Sequence, residues 1–186
     1  DMRLNTRPTA ADLEAEGFEH VIVATGVSPR TLDLDGADRD NVISYIDALL
    51  ERKPVGEKVA IIGSGGIGFD VAEFITSPHK NLPVPIDDFL AHWGIDKAHT
   101  TPGGMTSPAR EAPARSVTML QRTDSRPGKS LGLTTGWVVR SELKSRGVRN
   151  ITGATYNRTD NDGLHITVGG EDSVIPADTV IVCVGQ

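Results

Sequence analysis

The chain predicts an α/β fold in which a parallel sheet is followed by an antiparallel β-meander, and three observations carry that prediction. The apolar run 59–62 passes without a break into Gly63-Ser64-Gly65-Gly66-Ile67-Gly68 and then into an amphipathic stretch, the pattern of strand, glycine turn and helix. A second apolar run at 116–121 and a third at 178–184 have the length and β-branched content of fully buried strands. Between the last two, residues 152–157, 164–168 and 172–175 alternate apolar with polar, and Asp160-Asn161-Asp162-Gly163 and Gly169-Gly170 stand at the hairpin positions.

The elements follow in order. Residues 1–9 read as a short strand end, 10–16 as a helical turn stopped by Gly17, and 20–26 (His-Val-Ile-Val-Ala-Thr-Gly) as a buried strand ending in small residues. After Pro29 the chain is turn-rich until 44–50, where the apolar spacing fits a short helix closed by Pro54. The strand, glycine turn and helix of 58–76 come next. Pro78, Pro83, Pro85, Pro102, Pro108 and Pro113 then crowd residues 77–115, so this stretch reads as an insertion carrying one small helix near 86–92. Beyond the strand at 116–121, a helix is expected over 136–144, ending near Gly147, and a strand over 148–151.

The glycine turn has a physical purpose. Gly63 permits the tight turn off the strand, Gly65 lets backbone approach a pyrophosphate, and Gly68 lets the helix pack close to the strand. The helix N-terminus offers free N–H groups and the positive end of its dipole to an anion. The unit therefore reads as a Rossmann-like dinucleotide site, with Gly63, Ser64, Gly65, Gly66, Ile67 and Gly68 as its phosphate-binding candidates.

The tip of the second strand bears on which nucleotide is bound. A carboxylate there binds a ribose 2′-OH, whereas Arg or Lys there meets a 2′-phosphate. This strand ends in Gln121-Arg122, with no acid. A guanidinium can grip a phosphate with two parallel hydrogen bonds, so NADPH is the expected cofactor and Arg122 its leading ligand. Gln121, Arg126 and Lys129 are further candidates, with Asp124 among them partly cancelling their charge.

Composition excludes other classes. At 186 residues and 38% hydrophobic the chain can bury a core. The single Cys183 allows neither an internal disulfide framework nor a cluster held by four thiolates, and it reads as a small buried hydrophobe. A net charge of −6 argues against nucleic acid as a partner, although residues 110–149 hold nine Lys or Arg against three acids. No signal-like start and no long apolar run are seen, so a cytoplasmic protein without membrane contact is expected. The histidines His20, His79, His92, His99 and His165 show no ligand spacing, and no metal is expected. Asp70 is expected to face solvent or serve the helix dipole rather than catalyse, and Trp93 and Trp137 to anchor packing rather than line the site. No catalytic residue is assigned, because a nicotinamide cofactor carries its own chemistry and needs positioning from the protein.

Taken together, the glycine turn, the strand tips and the paired segments 21–26 and 180–185 resemble the pyridine-nucleotide domain of the FAD/NAD(P)-binding superfamily of flavoprotein reductases. More narrowly, five segments are similar to the bacterial 2,4-dienoyl-CoA reductase family, relatives of old yellow enzyme and trimethylamine dehydrogenase. They are 61–70, the insertion's Phe89-Leu90-Ala91-His92-Trp93-Gly94-Ile95-Asp96 with Gly103-Gly104, Met119-Leu120-Gln121-Arg122, Thr134-Thr135-Gly136-Trp137 and Val182-Cys183-Val184-Gly185-Gln186. The chain departs from the family at Thr123 and Leu133, where lysines are common.

The resemblance implies a nucleotide domain inserted into an FAD domain: residues 1–50 as part of the FAD domain and crossover, 51–176 as the NAD(P)H unit, and 177–186 as the strand returning to the FAD domain. It adds Thr25, Gly26 and Gly185, at the two crossings, to the cofactor-binding candidates. It further implies hydride delivery from NADPH to FAD, held with flanking sequence, and FMN and a 4Fe-4S cluster elsewhere in a parent polypeptide that would be the chain's partner. Another reductase of the superfamily, or a non-catalytic nucleotide-sensing or interaction module, are the alternatives. Oligomeric state is not legible.

Overall fold

The structure, a computed structural model, describes residues 1–77 and 84–185. Pro78, His79 and Pro83 of the expected insertion, and Gln186 of the closing motif, lie outside the described residues.

Five parallel strands form the central sheet: β1 (Val42–Ser44), β2 (Lys58–Ile62), β3 (Ser116–Leu120), β4 (Arg149–Ile151) and β8 (Thr179–Val182), in the order β1-β8-β2-β3-β4. A three-stranded antiparallel sheet holds β5 (Ala154–Asp160), β6 (Gly163–Val168) and β7 (Glu171–Ile175). The helices are α1 (Ala10–Ala15), α2 (Tyr45–Leu49), α3 (Gly66–Thr76), α4 (Ile86–Trp93) and α5 (Gly136–Ser145).

Strand periodicity explains the layering. Successive side chains point to opposite faces, so Val59 and Ile61 of β2 pack with Phe69, Val71 and Ile75 of α3 and Leu143 of α5. Ala60 and Ile62 face the other way, against Leu164, Ile166 and Ile175 of the meander. Met119 and Ile181 join the first core, Leu120 and Val180 the second. The central sheet is thus covered on both faces, which is why its strands read as continuous apolar runs.

The helix at 44–50 forms as α2, with Ser44 as N-cap: its hydroxyl accepts from the Asp47 N–H at 3.1 Å, and Asp47 reaches back to the Ser44 N–H at 2.7 Å. These bonds and Lys53 pull the Asp47 carboxyl down to about 2, the Lys53 contact contributing most.

The expected strands at 1–9 and 20–26 do not form. Residues 1–27 are exposed almost throughout, α1 buries no side chain, and 21–26 is coil without a pairing partner among the described residues. A strand needs a neighbour to satisfy its backbone and cover its apolar face, and the described residues supply none. Conversely β1, only three residues long and embedded in a stretch that reads as turns, pairs with β8 through Val42 with Val180 and Ser44 with Val182. Because β8 also pairs with β2, the sheet extends on both sides beyond the 51–176 unit expected from sequence.

The described part of the insertion, 84–115, packs on α5. Its α4 has no buried residue and is held instead by charge. Glu142 of α5, only 4% exposed, meets Arg110 at 2.7 Å, Arg146 at 2.8 Å and His92 at 3.0 Å. Burial alone would push the Glu142 carboxyl up, but the His92 hydrogen bond and the charges of Arg146, His92 and Arg110 outweigh it and hold the group below its ordinary value. Trp93 packs here as an anchor, with Phe89 beside it and the Arg110 guanidinium 4.9 Å above its ring. Trp137, by contrast, is 60% exposed.

Candidate nucleotide-binding cleft

Gly63 leaves β2 with φ +117°, a conformation open to glycine, and a Cβ there would lie 2.3 Å from the carbonyl oxygen of Cys183. At Gly68 a Cβ would meet the Gly63 carbonyl oxygen at 1.9 Å. These two absences of side chain let α3 close on the β2 turn and let the turn close on β8. Backbone bonds complete the contact: the Gly63 N–H donates to Leu120 O and the Cys183 N–H to Ile62 O, each at 2.8 Å.

The N-terminus of α3 is capped by Gly65, which supplies no side-chain oxygen to the first-turn N–H groups. A Cβ at Gly65 or Gly66 would enter open space, so the backbone here is bare toward the cleft. Ser64 is 6% exposed, and its Oγ has no hydrogen-bond partner among the described residues. Bare N–H groups, a positive dipole end and an unpartnered buried hydroxyl together fit a phosphate group.

A cleft of about 710 Å³ opens in front of this turn. Gly63, Ser64, Gly65, Gly66 and Ile67 line its floor, and Gly185 with Val184 and Cys183 one flank. Gln121, Arg122, Arg126 and Lys129 line the other flank. Among the described residues no Asp or Glu lines it. Asp124, read from sequence as opposing the basic residues, is not part of the wall, and it accepts a hydrogen bond from the Thr152 hydroxyl at 2.8 Å.

The loop after β3 is pre-shaped. The Gln121 side-chain amide donates to Thr123 O at 3.0 Å and to Ser125 O at 2.5 Å, so its NH2 group is spent on loop geometry. The Gly128 N–H donates to Ser64 O at 3.1 Å, and Arg140 of α5 donates to Gly128 O at 3.2 Å. The basic loop is thereby tied to the glycine turn it faces.

Gly68 supports the turn from behind and does not line the cleft. Thr25 and Gly26 are not brought to it: both are exposed on the coil at 21–26. Asp70 faces solvent. Burial pushes the Cys183 thiol up to about 12, so it remains a neutral, apolar wall. Among the described residues no cluster of potential ligands could hold a metal ion, and no helix is long and apolar enough to cross a membrane.

Sequence reasoning missed Thr123, Ser125, Ser130 and Tyr156, which also line the cleft. Thr123 and Ser125 lie between Arg122 and Arg126, and Ser130 directly follows Lys129, so all three could have been included by position. Tyr156 comes from the meander, and nothing local in sequence marks it.

Residues 3–186 match the family described as pyridine nucleotide-disulphide oxidoreductase. Over 84 residues, 45% of this chain and 12% of the relative, the chain is 40% identical to a cinnamate reductase of Clostridium sporogenes. It is 25% identical over 169 residues to a metal reductase of Desulforamulus reducens, covering 91% of this chain and 24% of that protein. Among solved structures, a 2-naphthoyl-CoA reductase complex superposes with a TM-score of 0.62 at 24% identity, over 98% of this chain and 22% of that one. An amine oxidase acting on 6-hydroxypseudooxynicotine, from Pseudomonas geniculata N1, gives 0.60 at 20% identity, over 100% and 24%. The chain thus spans a quarter or less of the length of these relatives. With its strand, glycine turn and helix intact and the match running almost from end to end, the chain belongs to the pyridine nucleotide-disulphide oxidoreductase family, whose members are pyridine-nucleotide-dependent flavoprotein oxidoreductases.

Proposed function

We propose that the chain is the NADPH-binding part of a flavin-dependent reductase of the 2,4-dienoyl-CoA reductase type. The observation that carries this reading is the composition of the cleft: a bare helix N-terminus faces Arg122, Arg126 and Lys129, with no carboxylate in the described wall. The pyrophosphate would lie on the backbone of Gly63 to Ile67 near the Ser64 hydroxyl, and the 2′-phosphate against Arg122. NADPH supplies the hydride. The residues of this chain bind it, neutralise its charge and orient it, and none of them need act as acid or base.

The flavin acceptor is proposed to be FAD held by the rest of a longer polypeptide. Support comes from residues 18–27, where Phe18, Val21, Ile22, Val23 and Val27 are exposed together, as a strand would be whose neighbours belong to another sheet. FMN and a 4Fe-4S cluster are assigned to that same polypeptide. The insertion, which resembles that of the dienoyl-CoA reductases, and the likeness to a cinnamate reductase support a conjugated unsaturated acid derivative as terminal substrate.

Calorimetric titration with NADPH and NADH tests the cofactor. Arg122→Ala is expected to weaken NADPH about ten- to a hundred-fold and NADH by less than about two-fold, since a charge-assisted bond to phosphate is lost only in the first case. Equal weakening of both overturns the assignment. The visible spectrum of the longer polypeptide is expected to show flavin and iron–sulfur bands, and a colourless protein would favour a nucleotide-sensing module.

A further inference from the structure

The meander contributes one large side chain to the cleft. The backbone that leads to it is fastened to the tip of β3: the Gln121 N–H donates to Ile151 O at 3.0 Å, the Ala154 N–H to Gln121 O at 3.0 Å, and the Gly153 N–H to Thr123 O at 3.2 Å. Residues 151–154 therefore run along 121–123, and Tyr156, two positions further and on the same strand face as Ala154, arrives beside Arg122. Both residues line the cleft together with Gln121 and Ser125. That corner is where the second strand of a dinucleotide unit meets the adenosine ribose.

Further observations single Tyr156 out. The pairing of β5 with β6 is regular up to Tyr156 opposite Ile166 and shifts register immediately after it, before Arg158. Such a bulge bends the strand and re-aims its side chains. The ring packs partly buried on the second core, against the Ala154, Leu164 and Ile166 cluster. The hydroxyl group has no hydrogen-bond partner among the described residues, and Arg122 is near enough for its charge to act on the phenol. A phenol fixed by packing, with no protein acceptor among the described residues and beside the Arg122 guanidinium, is placed to donate to a group held in the cleft.

We propose that Tyr156 is a specificity-determining residue of the cleft, its hydroxyl donating a hydrogen bond to the 2′-phosphate that Arg122 grips. The proposal rests on the NADPH reading and deepens it. Burial pushes the phenol up to about 12, the larger effect, while the Arg122 charge opposes it, so the group remains a donor throughout the pH range in which the nucleotide is used.

The test compares adenosine 2′,5′-bisphosphate with 5′-AMP on the wild-type chain, Tyr156→Phe and Arg122→Ala, by calorimetry. Tyr156→Phe keeps the ring and its packing, and a thermal midpoint unchanged from wild type checks that the fold is intact. The expected result is a preference of the wild type for the bisphosphate that falls about ten-fold in Tyr156→Phe, with 5′-AMP affinity nearly unchanged. If the wild type binds both nucleotides equally, the NADPH reading fails and the role of Tyr156 with it. If the wild type prefers the bisphosphate, Arg122→Ala removes that preference and Tyr156→Phe leaves it intact, the NADPH reading stands and the proposal for Tyr156 is overturned. Equal weakening of both nucleotides by Tyr156→Phe also overturns it, because that pattern reports a change in cleft shape.

Discussion

Residues 21–26 and 180–185 read Val-Ile-Val-Ala-Thr-Gly and Val-Ile-Val-Cys-Val-Gly, yet the first is exposed coil and the second contains β8, with a neighbour on each side. Ile22 is 91% exposed and Ile181 is 0% exposed. The strand-forming Val-Ile-Val is identical in both, so propensity alone did not decide the outcome. The difference is the company: β8 lies between β1 and β2 and is covered on one face by helices and on the other by the meander. Strand formation in this chain is a property of the sheet, and a six-residue apolar run supplies only the capacity for it.

The largest expected effect breaks the comparison at its centre. Ile181→Ala should cost about 2–5 kcal/mol through lost burial and a residual cavity, whereas Ile22→Ala should stay within about 0.5 kcal/mol. Paired urea denaturation curves measure both, and a similar loss at the two sites would show that 21–26 is packed after all.

The insertion sharpens the contrast, because α4, like α1, has no fully buried residue but is held by Glu142. Glu142→Ala should cost about 3 kcal/mol by leaving Arg110 and Arg146 without their shared acceptor. The pH dependence has a definite sign. A carboxyl held below its ordinary value contributes stability that is present above the unfolded-state pKa and lost as pH falls through the folded one. The advantage of wild type over Glu142→Gln is therefore expected at neutral pH and should shrink below about 4.5, the ordinary value for this group. Thermal midpoints of both proteins across that range measure it, and a gap that does not change with pH would remove the charge explanation.

The smallest effect uses the chemical difference between the two segments that a thiol reagent can report, Ala24 against Cys183. Ala24→Cys should leave stability within about 0.5 kcal/mol and react readily with a disulfide reagent, while Cys183, buried and with its thiol pushed up to about 12, stays inert in the folded chain. In a longer polypeptide that supplies the neighbours of 21–26, the introduced cysteine should become protected. Continued fast reaction there would mean that this strand is not completed by flanking sequence.

Local physics made the β2–Gly63–α3 unit, α2, α4 and all three meander strands legible, because each depends on residues within a few positions. The glycine turn was readable for the same reason: Gly63 and Gly68 answer to backbone atoms of the turn itself and of the strand beside it. The basic residues at the β3 tip could be named as cleft candidates because β3 lies beside β2, so the loop leaving its C-terminal end must face the glycine turn. The residues that sequence reading missed or misplaced depend on distant partners. Tyr156 reaches the cleft from the meander, in a different sheet from β3. Thr25 and Gly26, carried over by resemblance, have no sheet among the described residues to place them at the cleft.

By itself, then, the amino-acid order determined the parallel α/β architecture, the glycine turn and the positive charge opposite it, since periodicity, glycine placement and side-chain charge act over short range. Only the tertiary structure decided that β8 lies inside the sheet while its near-twin stays in solvent, that Glu142 gathers Arg110 and His92 from the insertion, and that Tyr156 reaches Arg122 from another layer. Those outcomes depend on which distant surfaces are brought together to exclude water and satisfy backbone groups, and no window of sequence contains both partners.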